Sequence, residues 1–270
     1  MTTPPAAPTC IPYEDADPCP RVEITVTPGA DNATITLYRQ DSSGTVPVRG
    51  GWRIEVSGPA LVVDYEVPFG QPVEYFAVGY DTDGNASTPG PTSEPVTVDS
   101  DGCPWVQDPT DPESAQRWQV VDWEGMAYGR SAAVLRPMLS ATAIAVIGVR
   151  QEPESEMVAR TVTDSAAAAL RALCAVPVLL IRPDPSWGWP ARYWLVGDVE
   201  ETRQAPKTGD DPRRVWTLPL TAVDAPSPSL LTFPYVWADV VAYWDTWADL
   251  IAGKATWLDV MRDPAPGGAA

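Results

Sequence analysis

Prolines punctuate this chain so often that few windows could hold a long helix. There are 31 of them in 270 residues. Each removes a backbone donor and fixes φ, which ends or kinks helices and pushes proline to sheet edges and turns. The 44% hydrophobic content and 12 tryptophans are still enough for real cores. The expectation is a mainly β protein with many loops, long enough for two domains and an appendage.

Hydrophobic periodicity divides the chain. Residues 1–20 are rich in Pro, Ala and Thr, carry Glu14, Asp15 and Asp17, and have no periodicity. They are expected to be an extended N-terminal arm that orders only on a partner. Residues 21–102 alternate with a period of two, as in Val22–Val26, Ala33–Tyr38, Trp52–Val56, Ala60–Tyr65 and Val73–Tyr80, with a last strand near Glu94–Val98. Seven short strands with turns about every ten residues suit a β-sandwich. Residues 103–117 read as a proline-rich linker. Residues 118–228 then read β-β-α-β-β-β: Thr163 caps a helix that stops before Pro177, between strands such as Ala141–Val149, Pro177–Arg182, Ala191–Val199 and Arg214–Leu220. One helix among many strands suggests a split β-barrel with a helix on one side.

Residues 229–270 form a tail with a repeat. Trp237-Ala238-Asp239-Val240, Trp247-Ala248-Asp249-Leu250 and Trp257-Leu258-Asp259-Val260 recur at a spacing of ten, with Thr246 and Thr256 before the last two. A straight helix would rotate successive tryptophans by roughly 80°, so one face cannot hold all three. Thr-Trp-x-Asp reads instead as a helix start, with Thr as N-cap and the acid at N3. Short helical turns of this kind are marginal alone and need something to dock on. Trp237, Trp244, Trp247, Leu250, Trp257 and Val260 are the candidate interface residues.

Several functions are disfavoured by composition. The net charge of −18 opposes phosphate neutralisation, so no nucleic acid binding is expected. No apolar run approaches the roughly 20 residues of a membrane span, and the N-terminus has neither the basic region nor the apolar run of a signal peptide. The chain has no histidine and no Cys-x-x-Cys pair among its four cysteines, so neither a metal nor another cofactor is expected. A Cys10–Cys19 bridge stays open. The Asp122/Glu124 and Asp198/Glu200 pairs are the local candidates for a two-carboxylate hydrolase. Alternation along a strand is more simply a solvated face, and no enzyme activity is expected.

Two resemblances follow from particular residues. Pro68-Phe69-Gly70, then Tyr75-x-Ala77-x-Gly79-x-Asp81 and Gly84, resemble a fibronectin type III domain. That likeness implies a corner latch for Tyr75, and leaves Leu37 or Trp52 to fill the space of the missing strand-B tryptophan. The larger set is the sandwich, Asp99-Ser100-Asp101-Gly102-Cys103-Pro104-Trp105, the strand–helix–strand barrel with Val178–Arg182 and Tyr193–Val199, and the Trp repeats. Together these resemble the minor tail proteins of siphophages infecting actinobacteria. The barrel is also similar to the split barrel of tail-tube and distal-tail proteins. The resemblance implies a structural virion protein of the tail tip, in contact with copies of itself in a ring or baseplate and with other tail proteins. The competing reading is a carbohydrate-binding adhesin on a host surface glycan, with Trp187 and Trp189 as stacking residues in their Pro/Gly loop.

Overall fold

Two antiparallel sheets, of three and four strands, make the first domain of this computed structural model. It describes residues 2–16, 18–123, 125–135, 144–204, 211–227, 240–241, 243–244, 246–254 and 260. Strands β1 (Thr9–Tyr13), β2 (Arg21–Val26) and β6 (Ala60–Asp64) form one sheet in the order β1-β2-β6. The other holds β3 (Thr34–Asp41) between β7 (Glu74–Tyr80) on one side and β4 (Gly44–Pro47) and β5 (Ile54–Glu55) on the other. The period of two sends Tyr75, Ala77 and Gly79 of β7 inward. There Tyr75 and Ala77 share a core with Val22, Ile24, Ile35, Leu37 and Val62. This is a fibronectin III-like sandwich. Leu37 is fully buried while Trp52 is 39% exposed, so Leu37 fills the core space that either could have taken.

The expected last strand is not regular. Ser87, Gly90, Ser93 and Val96 donate to the carbonyls of Gly79, Ala77, Tyr75 and Val73. Pro89, Pro91 and Pro95 have no donors and interrupt the ladder between them.

The second domain is one nine-stranded sheet. Its path runs β10 (Gln119–Trp123), β12 (Ile144–Thr161), β16 (Arg214–Val223), β14 (Arg192–Val196), β13 (Val178–Arg182), β8 (Trp105–Asp108), β9 (Asp111–Arg117). Strand β11 (Ala127–Leu135) also pairs with β12, and β15 (Glu200–Arg203) with β16. The two ends of the path, β9 and β10, are joined through Trp118 alone. The sheet therefore curls on itself into a half-barrel. Helix α1 (Asp164–Cys174) packs Ala167, Leu170 and Leu173 into its core with Met157, Leu179, Ile181, Trp194, Trp216 and Leu218. Thr163 accepts from Ala166 N as its N-cap.

Two segments differ from the sequence reading. Part of the 1–20 arm is the sandwich's edge strand, with Cys10 opposite Ile24, and Thr2 Oγ1 donates to Asp81 Oδ2 at 3.1 Å. An edge strand can carry Pro12 because its N–H side faces no partner, so alternation was a poor guide there. The linker 103–117 is also structured: β8 and β9 form a hairpin whose first strand pairs with β13. Its prolines and acids suit the sheet's terminal strand, and the same residues in a sequence read as a tether. All four cysteines are free thiols.

Candidate assembly surfaces

A buried polar seam fixes how the two domains present their surfaces. Glu66, just past β6, accepts from Arg49 Nε on Oε1 and from Tyr193 Oη on Oε2, both at 2.6 Å. Arg49 and Glu66 belong to the sandwich and Tyr193 to the half-barrel. Burial pushes the Tyr193 phenol well above its ordinary range, and the neighbouring Glu66 charge pushes it the same way. Deeper in the sandwich, Asp64 Oδ2 accepts from Arg39 Nη1 at 2.8 Å and from Tyr75 Oη at 3.0 Å. Burial raises the Tyr75 phenol, as does Asp64. Tyr75 is therefore latched, as expected, but to a carboxylate at the end of β6.

From the barrel side, Arg182 is wholly buried. Its Nη1 donates to Pro20 O at 2.8 Å and Val67 O at 3.3 Å, and Nη2 to Gln107 Oε1 at 3.1 Å. Its guanidinium lies 4.6 Å from the Phe69 ring centroid. Burial pulls its pKa down despite nearby Cys19 and Asp64. Opposite Arg182 in the β8–β13 ladder stands Trp105, whose ring is 3% exposed and belongs to the sandwich core. The Cys103-Pro104-Trp105 junction thus welds the domains: its tryptophan packs in one core while its backbone pairs in the other sheet.

Trp187 and Trp189 flank a loop opened by a 3-10 turn, Pro185–Trp187, and Gly188 at φ 70°. Both are half-buried and turned onto the barrel core. Trp189 meets Trp123 edge-on at 4.6 Å between centroids, and Trp187 lies 5.7 Å from the same ring. Trp194 completes the cluster at 6.2 Å. These indoles spend ring surface on one another, in the edge-to-face geometry aromatic pairs prefer. Of the acidic pairs, Asp122, Asp198 and Glu200 are exposed, and Glu124 lies outside the described residues. Among the described residues, no group of three or more Cys, Asp or Glu side chains could hold a metal ion, and no helix is long and apolar enough to cross a membrane.

Two further features carry exposed apolar residues. The first is a ribbon of β11 and the first part of β12. Strand β16 reaches β12 only from Glu154 to Thr161, so from Ile144 to Pro153 the described partner of β12 is β11 alone. Leu135, Ile147 and Val149 on this ribbon are 55%, 58% and 89% exposed. Of the expected Ala141–Val149 strand, Ile144–Val149 is in β12 and residues 141–143 lie outside the described residues. The ribbon itself was not foreseen, because one strand cannot show what lies opposite it.

The second is the tail. Helix α2 (Trp247–Gly253) begins at Thr246, which accepts from Asp249 N and donates to Asp249 Oδ2 at 2.6 Å. That is the cap the Thr-Trp-x-Asp phrase implied. A Cβ on Gly253 would come within 2.1 Å of the Trp244 ring, so the missing side chain is what lets that indole lie against the helix end. Of the expected interface residues, Trp247 is exposed, Trp244 half-buried, and Leu250 and Val260 buried. Val241, Tyr243 and Ile251 are exposed beside them. Trp237 and Trp257 lie outside the described residues.

No protein-family model matches the chain, and no curated protein matches it. Among solved structures it is similar to the FN1-FN3 domains of chicken CNTN1, with 13% identity over 75% of this chain and 73% of that one, at a TM-score of 0.28. Nothing below rests on that likeness.

Proposed function

We propose that this chain is a structural protein of a siphophage tail tip, built into a ring or baseplate through protein–protein contacts with its own copies and other tail proteins. The observation that supports this best is the welded body. The Cys-Pro-Trp junction, singled out by its likeness to actinobacterial siphophage minor tail proteins, is the element that locks sandwich to half-barrel. A buried seam of Arg49, Glu66, Tyr193 and Arg182 makes the pair one rigid block. Large apolar residues are then left exposed on a ribbon and a tail, among them Ile147, Val149, Trp247 and Ile251. Exposed apolar patches of this kind mark interaction surfaces. The role is mechanical, with no catalysis and no cofactor, and the aromatic tail residues are its docking anchors.

The test is to find the protein in the particle. Mass spectrometry of purified virions, with cryo-electron microscopy of the tail, should place this chain at the tip in a symmetric ring. Its absence from infectious particles would refute the reading.

A further inference from the structure

The β11–β12 ribbon differs from the rest of the chain in charge as well as exposure. Over its described residues, Ala127–Leu135 and Ile144–Pro153, it carries Arg130 and Arg150 against one acid, Glu152, which is paired with Arg192 of the half-barrel, in a chain of net charge −18. Arg130 and Arg150 stand opposite each other in the ladder, and the Arg150 guanidinium lies 5.7 Å from the Tyr128 ring centroid. Further along, Ala132 pairs with Ile147 and Leu135 with Ile144, and Ile147, Val149 and Leu135 are all more than half exposed. A two-stranded ribbon with apolar side chains in water is marginal by itself. The edge of β12 opposite β11 also offers backbone donors and acceptors without a described strand partner, which is a template for pairing with another chain.

We propose that this ribbon is an arm that docks on the acidic body of a second copy of this chain, in a head-to-tail contact. Charge decides the occupant. Pairing arm to arm would set Arg130 and Arg150 of one copy against the same arginines of the other, and like charges across an interface are repulsive. Setting the arm on a neighbour's body places it among exposed acids such as Asp122, Asp198 and Glu200, with exposed Val121 and Leu195 to meet its apolar residues. A contact joining two different surfaces repeats from copy to copy, and closes into a ring when its rotation allows. The arm proposal rests on reading this chain as an assembly protein, and it names the partner and the contact mode.

The experiment uses the full chain in sedimentation velocity over a range of protein and salt concentrations. Wild type should self-associate, and salt should weaken that association by screening unlike charges. Ile147→Asp with Val149→Asp, both at exposed positions, should keep the wild-type melting curve and weaken association by at least about a hundredfold. Arg130→Glu with Arg150→Glu should also weaken it and reverse the salt dependence, because the remaining repulsion is then screened. The aspartate variant still has an intact body, so added to wild type it should bind one arm and cap growth, giving smaller oligomers. A wild-type chain that stays monomeric throughout would overturn the proposal, as would arm variants that associate like wild type. An aspartate variant that fails to enter wild-type oligomers would show arm-to-arm pairing and also refute it. Virion mass spectrometry separates the two claims. A chain monomeric in solution but present in particles ends the arm proposal alone; one that oligomerises through the arm but is absent from particles ends the tail-tip reading alone.

Discussion

Tyr193 donates its hydroxyl to Glu66 across the domain seam at 2.6 Å, and the other oxygen of that carboxylate is held by Arg49 at the same distance. One buried side chain thereby ties a half-barrel strand to the sandwich. Removing it leaves a guanidinium with 6% of its side chain exposed and no anion against it.

The first prediction concerns that seam. Breaking a buried pair by deleting one partner costs about 3–5 kcal/mol, so Glu66→Ala should lower stability by that order. Because the seam is shared, hydrogen exchange should rise together in β2 and β7 of the sandwich and in β13 and β14 of the half-barrel. Faster exchange confined to one domain would show that the seam does not couple them. A fragment of residues 21–102 lacks both β1 and Trp105, and should be protected less than the same strands in the full chain.

A second prediction isolates the Tyr75 latch. Tyr75→Phe removes a hydrogen bond to a charged acceptor, worth roughly 1.5–3 kcal/mol, while Arg39 keeps Asp64 paired. The denaturant midpoint of the full chain should fall accordingly with its slope unchanged. An unmoved midpoint would mean that the phenol–carboxylate contact contributes nothing.

Alkaline pH gives a third. Burial, reinforced by Asp64 and Glu66, raises the phenols of Tyr75 and Tyr193 in the fold, whereas an unfolded tyrosine titrates near 10. Above that value the unfolded chain releases protons that the folded chain still holds. This contribution is complete below about pH 10 and is lost as pH rises toward the folded values. The buried thiol of Cys19, raised by desolvation, adds a loss of the same sign starting lower. Stability of the wild type should therefore fall steeply between about pH 9 and 11, and Tyr75→Phe/Tyr193→Phe should flatten the upper part of that fall. An equal slope in the double variant would contradict the assignment.

How much of this was legible beforehand depends on where each signal lives. Strands β2, β3 and β7 announced themselves because one face is buried and the other wet, which writes a period of two into the residues. Helix α1 was bracketed by Thr163 and Pro177. The seam left no such mark: Glu66, Gln107, Arg182 and Tyr193 are separated by up to 127 positions, and only folding brings them together. Strand β1 and the β8–β9 hairpin lie at sheet edges, where proline and charge are tolerated, so composition suggested tethers. The candidate interface was half legible. The Thr246 cap and the outward Trp247 fit the repeat, whereas Leu250 is buried, and nothing in the repeat distinguishes those two fates.

The aromatic cluster supplies a fourth prediction. Trp189 packs edge-on against Trp123 and is only half-buried, so Trp189→Ala should cost about 2 kcal/mol, less than the roughly 3–5 of a fully buried indole. The loss should appear in the melting curve. Retention on a host wall polysaccharide that disappears in Trp187→Ala/Trp189→Ala without a change in melting would instead support the stacking role of the adhesin reading.

The tail yields the last. Arg49 donates from Nη1 to Ser227 O at 2.7 Å and from Nη2 to Pro226 O at 3.1 Å, so the sandwich grips the chain just before the Trp repeats begin. Truncation after Ser227 keeps that grip. If the repeats serve a neighbour, the shortened chain should melt as the full one does and fail to enter particles. Leu250 and Val260 are each only 5% exposed, which makes packing within the chain the competing account, and on that account truncation lowers the melting temperature. Trp247→Ala separates the two, because its ring is 57% exposed and its loss removes little that folding has buried. An exposed indole that becomes an interface anchor has a large effect on binding and a small one on stability. Trp247→Ala should therefore leave the melting curve in place and strongly reduce incorporation. Normal incorporation of this variant, scored by mass spectrometry of particles, would show that the tail does not dock through Trp247.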